Sequence, residues 1–403
     1  MTERLYYRDS FLYDFEAKVI RLREQSGRVA IVLDRTAFYP TSGGQTFDTG
    51  ALRAASGAEV QVEEVAETED GIILHYVSVA LVAGVSVHGS IDAARRRDHM
   101  QQHSGQHVLS AAFVRLFDMP TVSFHMGDES CTIDLGTKSL SRRQVEQAEL
   151  LANEVVTEDR PVEVRFVAPE EARALGVRKI PETERDKLRL IDIRDFDLTA
   201  CGGTHVRSTG QIGAILLRKT ENVKQGVRVE FVCGGRAVTT ARQDYSALTE
   251  AAGALSTHIW ELPQQVRKSL DDAKAGARAQ QKLLEEVAEL AAARLLADAP
   301  VENGRKKIVR VIADRELAFV RLLAQKIAGA GEPAVALLAS TLGQPALVFA
   351  QSPGLPSDMG AEMRKAMAAL GGRGGGSRDF AQGGAPDGSR IAAVLHEIAQ
   401  ALR

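Results

Sequence analysis

Apolar and polar positions alternate in the first part of the chain. Residues 15–22 (FEAKVIRL) and 28–34 (RVAIVLD) alternate or run apolar, and turn residues such as glycine and aspartate separate segments of this kind. Residues 1–92 therefore read as a β-rich, barrel-like domain. From Asp92 to about Phe117 the period becomes helical. Val108, Leu109 and Phe113 supply the apolar surface of that helix, and His103, His107 and Ser110 share another side. Strand-like stretches follow at 121–126, 130–135, 162–167, 190–193, 214–217 and 227–232, with an amphipathic helix at 144–157. Helix and strand mix without a strict β-α-β rhythm, which predicts an α+β fold for 93–240.

The pattern changes again at 241–300, which is rich in Ala, Gln, Glu and Leu. Val266, Leu270, Ala273, Ala277, Leu284, Val287 and Ala291 fall close to coiled-coil spacing, interrupted by Gln280 and Arg294 and weakened at Gly276. A long helix or helical hairpin is predicted, either dimerising or packing on its own chain. After a polar break, 301–403 alternates helix with apolar strands at 334–338 and 346–349, as in a small α/β domain. Its loop 371–384, GGRGGGSRDFAQGG, offers backbone N–H groups suited to a phosphate or a nucleotide edge.

At 403 residues the chain is too long for one ordinary core, which agrees with this division. A content of 44% hydrophobic and 26% charged residues fits a soluble globular protein. The polar start and the lack of an apolar run of about 20 residues speak against a secretory leader or a membrane span, so a cytoplasmic location is expected. Three cysteines, Cys131, Cys201 and Cys233, suggest no disulfide framework. The net charge of −3 does not advertise nucleic-acid binding, yet local basic clusters stand at Arg95–Arg97, Arg218–Lys219 and 305–310.

Two short motifs carry the chemistry: His103-Ser-Gly-Gln-His107 and, far downstream, Cys201-Gly-Gly-Thr-His205. Histidines four apart on a helix project from one face within reach of one ion. The second pair has the same spacing around Gly-Gly, which favours a turn presenting both side chains. Three imidazoles and one thiolate suit zinc better than magnesium or calcium, which prefer oxygen. Ser-Gly-Gln at 104–106 lacks the glutamate of a His-Glu-x-x-His peptidase. Closed four-ligand sites are usually structural, so catalysis would need a displaced ligand, an expanded shell, or another group to activate water.

HSGQH followed by DLTACGGTHVRSTGQIG resembles the editing domain of alanyl-tRNA synthetases and its free-standing relatives. TAFYPTSGGQTFDTG at 36–50 looks like the glycine-rich motif before that domain, TVSFHMGDESCTIDL at 121–135 like its pocket-lining segment, and 371–384 like the motif of the DHH-associated domain that ends those synthetases. Together the matches imply the long form of the AlaX family. The resemblance implies zinc on His103, His107, Cys201 and His205, and deacylation of tRNA(Ala) wrongly charged with serine or, in some members, glycine. With no aminoacylation domain ahead of these motifs, action in trans is expected. The C-terminal domain and its helix would grip tRNA and support a homodimer.

Serine differs from alanine by a hydroxyl, which a site built to hydrogen-bond it can select. The candidates for that contact are Thr36, Thr41, Gln106 and Thr121, with Gln106 favoured because it lies inside the metal motif. Gln45 is expected at the tRNA 3′ end, and Arg95–Arg97 at acceptor-stem phosphates. Gln106 and His125 are the catalytic candidates, His125 as base, donor or pocket wall. His99, Cys131 and Cys233 are expected to pack. Two alternatives stand: editing of another mischarged tRNA such as Ser-tRNA(Thr), and a non-catalytic tRNA-binding protein with structural zinc. A phosphoesterase is disfavoured, because no Asp-His-His tripeptide occurs.

Overall fold

The computed structural model of the protein describes residues 2–25, 27–177, 187–224 and 226–402. The chain divides into two compact units, Met1–Glu250 and Ala251–Arg403. In the first, strands Asp14–Gln25, Arg28–Leu33, Ile73–Val77, Glu59–Glu67, Gly50–Ala54 and Ser86–Ile91 follow one another around a closed antiparallel barrel. Alternation builds its core: along Ser86–Ile91 every second residue is buried, Val87 and Ile91 among them. A register shift between Val62 and Glu64 lets Val65 turn inward after Val62. The barrel-like expectation is met by a complete barrel.

Helix α1 (Ala93–Phe117) follows, capped by the Asp92 side chain, which accepts from Ala94 N and Arg95 N. From Gln102 to Phe113 every residue of α1 is buried, so it lacks a simple polar stripe. One wall of its surroundings is the sheet Ile215–Val223, Gly226–Cys233, Cys131–Leu135, Thr121–Met126, in that order. Helix α2 (Arg142–Thr157) starts in a capping box formed by Ser141 and Gln144. It packs its Ala148, Ala152 and Val155 into the same core as Val108, Leu109 and Phe113. A separate three-stranded sheet, Val162–Val167, Leu188–Ile193 and Asp197–Ala200, delivers the chain to Cys201.

Barrel and helix are locked at the root of α1. The Arg96 guanidinium, fully buried, pairs with the equally buried Asp48 and donates to the carbonyls of Ser10 and Ala37. Asp48 also accepts from Tyr39 N at 2.7 Å. The middle arginine of the 95–97 run is thus interior, and Arg95 donates to Phe47 O, which leaves Arg97 as the exposed member. An apparent basic patch is in part an internal clamp.

In the second unit, a six-stranded sheet runs Val301–Glu302, Arg305–Ile312, Ala334–Ser340, Ala346–Gln351, Phe380–Gly384, Arg373–Gly376. Strand Ala334–Ser340 is buried throughout. Val335, Leu337 and Ala339 enter one core with helices Met359–Leu370 and Ile391–Ala401, while Ala334, Ala336 and Leu338 enter another with helix Leu317–Ala328. The 37-residue helix Leu262–Asp298 joins the latter core through Leu284, Ala288, Ala292 and Leu296, whereas Val266 and Leu270 on it are exposed. Among the described residues no helix is long and apolar enough to cross a membrane.

Candidate metal centre

Among the described residues one group of side chains could hold a metal ion: His103, His107, Cys201 and His205, whose ligand atoms all lie within 4.8 Å of one another. Two histidines come from adjacent turns of α1, and the other two ligands from the turn after strand Asp197–Ala200. Cys201 Sγ stands 3.4 Å from both His103 Nε2 and His205 Nε2. The turn can close this tightly because residue 203 is glycine: a Cβ there would sit 2.1 Å from the His103 ring and 2.9 Å from Gln45 Oε1. Arg189 Nη1 donates to the Cys201 carbonyl at 2.6 Å, and Gly203 N donates to Cys201 Sγ at 3.3 Å.

Two of the imidazoles are hydrogen-bonded from behind, and the third faces a carboxylate. Gln45 Oε1 accepts from His103 Nδ1 at 2.7 Å, His205 Nδ1 lies 3.1 Å from the Ser104 hydroxyl, and His107 Nδ1 stands 3.6 Å from Asp197 Oδ2. Outer partners of this kind orient metal-binding histidines and raise their basicity. The electrostatics point the same way. Burial opposes ionisation of Cys201, but the His103, His205 and His107 rings hold its thiol well below the usual range. Burial likewise works against protonation of His107, yet the Cys201 thiolate and Asp197 outweigh it and push it up to about 9. For His205 burial wins, and its pKa falls to about 3. A thiolate ringed by imidazoles is a donor set that fits zinc.

The cluster borders a cavity of about 440 Å³ lined by Gln106, Thr121, Phe124, Thr199 and Gly43 as well as ligands of the cluster. Gln106 Nε2 donates to Ser110 Oγ at 2.8 Å, and Ser110 Oγ lies 2.6 Å from Thr121 Oγ1, so buried Ser110 links the two polar side chains that line the cavity. Phe124 packs 5.4 Å from the His103 ring. The glycine-rich loop closes on this strand: Gly44 adopts φ +87°, its carbonyl accepts from Met126 N, and a Cβ on it would meet the Phe124 carbonyl at 2.5 Å.

Along 95% of this chain and 94% of the other, the sequence is 30% identical to the alanyl-tRNA editing protein AlaX-L of Pyrococcus horikoshii. The chain belongs to the AlaX-L family. Two family patterns match within it: "tRNA synthetases class II (A)" over residues 9–95 and "Threonyl and Alanyl tRNA synthetase second additional domain" over 188–229. The alanine–tRNA ligase of Pyrococcus abyssi is 32% identical along all of this chain, which spans 44% of that enzyme's length. A solved C-Ala domain from Aquifex aeolicus alanyl-tRNA synthetase matches 26% of this chain and 97% of its own length at 21% identity, with a TM-score of 0.25.

Not every candidate residue of this AlaX-L chain reaches the cavity. Gln106 and Thr121 line it. Thr36 does not: it is buried in the barrel, 2.8 Å from His75 Nε2. Thr41 is exposed, with its backbone N–H donating to Val65 O. His125 is exposed and does not line the cavity, although Thr121, Val122, Ser123 and Phe124 of the same strand do. Gln45 is fully buried against His103 and Thr204, which leaves it no surface for a tRNA end. Cys131 and Cys233 are buried, and so is His99, with Nε2 3.2 Å from Thr46 Oγ1. Three residues escaped the sequence reading: Ser104, Asp197 and Arg189. Ser104 lies inside HSGQH, and Asp197 shares its strand face with Thr199 and the Cys201 turn, so alternation was the available signal.

Proposed function

We propose that the protein is a zinc-dependent hydrolase that deacylates mischarged tRNA(Ala), chiefly seryl-tRNA(Ala) and secondarily glycyl-tRNA(Ala), acting in trans. The supporting observation is the ligand tetrad beside a cavity whose wall carries Gln106 and Thr121, in a chain of the AlaX-L family. Zinc bound by His103, His107, Cys201 and His205 would supply Lewis acidity towards the ester carbonyl. The Gln106 amide and the Thr121 hydroxyl receive the serine hydroxyl. An alanyl ester would leave both without that partner, which disfavours hydrolysis of the correct product. Phe124 and the Gly43–Gly44 turn limit the cavity on the side facing the rings, which restricts it to small aminoacyl groups. Self-association through the helix Leu262–Asp298 belongs to the same proposal, supported by exposed Val266 and Leu270, and sedimentation of wild type against a V266E/L270E variant tests it.

The deciding experiment compares deacylation of Ser-tRNA(Ala), Gly-tRNA(Ala) and Ala-tRNA(Ala), with zinc content measured alongside. Loss of serine and not alanine, abolished by Cys201→Ala together with the zinc, is the expected result. Zinc-loaded protein that binds tRNA(Ala) without turnover would overturn the enzyme and leave a binding protein with structural zinc. Activity on Ser-tRNA(Thr) exceeding that on Ser-tRNA(Ala) would reassign the substrate.

A further inference from the structure

We infer that Gln45, a residue of the barrel's glycine-rich loop, is a positioning residue that selects the ring nitrogen with which His103 meets the metal. The inference starts from a backbone donor. Thr204 N points at the Gln45 side-chain amide at 3.1 Å, and an N–H can donate only to the amide oxygen. That contact fixes the amide: Oε1 faces Thr204 N, and Nε2 faces outward to donate to Thr204 Oγ1 at 2.9 Å. The same Oε1 lies 2.7 Å from His103 Nδ1. An oxygen without a hydrogen can only accept there, so Nδ1 carries the proton. The lone pair of a neutral His103 is then on Nε2, the atom 3.4 Å from Cys201 Sγ.

Nothing competes with this arrangement. Gln45 is fully buried, so water does not exchange for either partner, and the missing side chain of Gly203 leaves room for Oε1 between the His103 ring and the 204 backbone. One amide thereby reads two ligand-bearing segments, α1 and the Cys201–His205 turn, and holds them in a single geometry. The N-terminal domain thus contributes to the metal centre without supplying a ligand: Gln45 meets the His103 ring, and Ser10 Oγ accepts from His205 N at 3.1 Å. Ser104 lies on the His205 ring and Asp197 faces the His107 ring from within their own domain, whereas Gln45 reaches the His103 ring from the barrel's glycine-rich loop.

The inference rests on the proposed metal site, yet it can fail by itself. In metal-free wild-type protein labelled with 15N, long-range proton–nitrogen correlation of the histidine rings should find His103 as the Nδ1–H tautomer. Zinc affinity, measured by chelator competition with Zn2+ alone, should drop about 10- to 100-fold in Gln45→Met, which keeps the bulk and loses the acceptor. Gln45→Glu, which presents an oxygen at the same place whether ionised or not, should bind zinc at least as tightly as wild type. A wild-type His103 protonated on Nε2, or a folded Gln45→Met with wild-type affinity, overturns the inference. If Gln45→Met does not fold, the tautomer and Gln45→Glu decide, and a tenfold weaker Gln45→Glu overturns it. Zinc-binding protein that shows this tautomer but deacylates no tRNA would sink the proposed reaction and leave Gln45's role intact.

Discussion

Two sets of histidines are buried in the first unit, and they are buried differently. His75, inside the barrel, has both ring nitrogens engaged: Nε2 lies 2.8 Å from Thr36 Oγ1 and Nδ1 lies 3.3 Å from Ile31 O. Burial lowers its pKa to about 4, so it stays a neutral, satisfied core residue. His103 and His205 use Nδ1 on an outer partner and turn Nε2 toward the Cys201 thiol, while His107 stands between that thiol and the Asp197 carboxylate. Burial alone does not mark a metal site. What marks it is a ring whose inner nitrogen has no partner of its own except the other members of the cluster.

The sharpest way to break the contrast is to remove the thiolate. Cys201→Ala should retain little zinc after dialysis and lose essentially all deacylation, read by metal analysis and by turnover of Ser-tRNA(Ala). Retained metal and turnover would mean that three imidazoles suffice. Next comes the clamp between barrel and α1. Arg96→Met leaves Asp48 as an unpaired buried carboxylate, with an expected cost of about 3–5 kcal/mol in urea unfolding. A change below about 1 kcal/mol would show that water or backbone takes over the arginine's contacts.

His75 supplies a smaller effect with a definite pH window. Its folded pKa of about 4 lies below the unfolded value of 6.5, so the unfolded chain takes up the proton first. Stability is therefore fully present above pH 6.5 and is lost as pH falls towards 4, by roughly 3 kcal/mol for this residue. His99, also held near 4 chiefly by burial, acts with the same sign. Unfolding of wild type against His75→Phe at pH 7 and pH 4.5 isolates the His75 part, and equal slopes for both proteins would refute it. The smallest effect is on selectivity. Thr121→Val should narrow the preference for seryl over alanyl ester about tenfold, the worth of one hydrogen bond, with zinc content unchanged.

The sequence made some of this legible and hid the rest for physical reasons. Alternation exposed the barrel because strands such as Ser86–Ile91 have one face in a core, whereas Ile73–Val77 is buried on both faces and carries no such pattern. The four ligands stood out because each pair is local, four residues apart. Their supports did not, since Gln45 meets His103 across 58 positions and no short pattern records that. Arg95–Arg97 read as a surface patch because charge was weighed before helical phase. Three neighbouring residues on a helix face three directions, and the middle one faces Asp48. On strand Thr121–Met126 the cavity takes four consecutive residues, Thr121 to Phe124, and stops short of His125, a limit that no local pattern records.

The buried Arg96–Asp48 pair has a practical consequence for anyone seeking a minimal catalytic fragment. A shortened protein beginning at α1 would keep all four ligands and discard Asp48, Gln45 and the Gly44 carbonyl. It would carry a guanidinium that has lost Asp48 and the Ser10 and Ala37 carbonyls, one ring without its acceptor and one strand edge newly bare. Such a fragment should aggregate rather than edit. Miniaturisation would have to start by rebuilding the first turn of α1, with an uncharged residue at 96, before any ligand is touched.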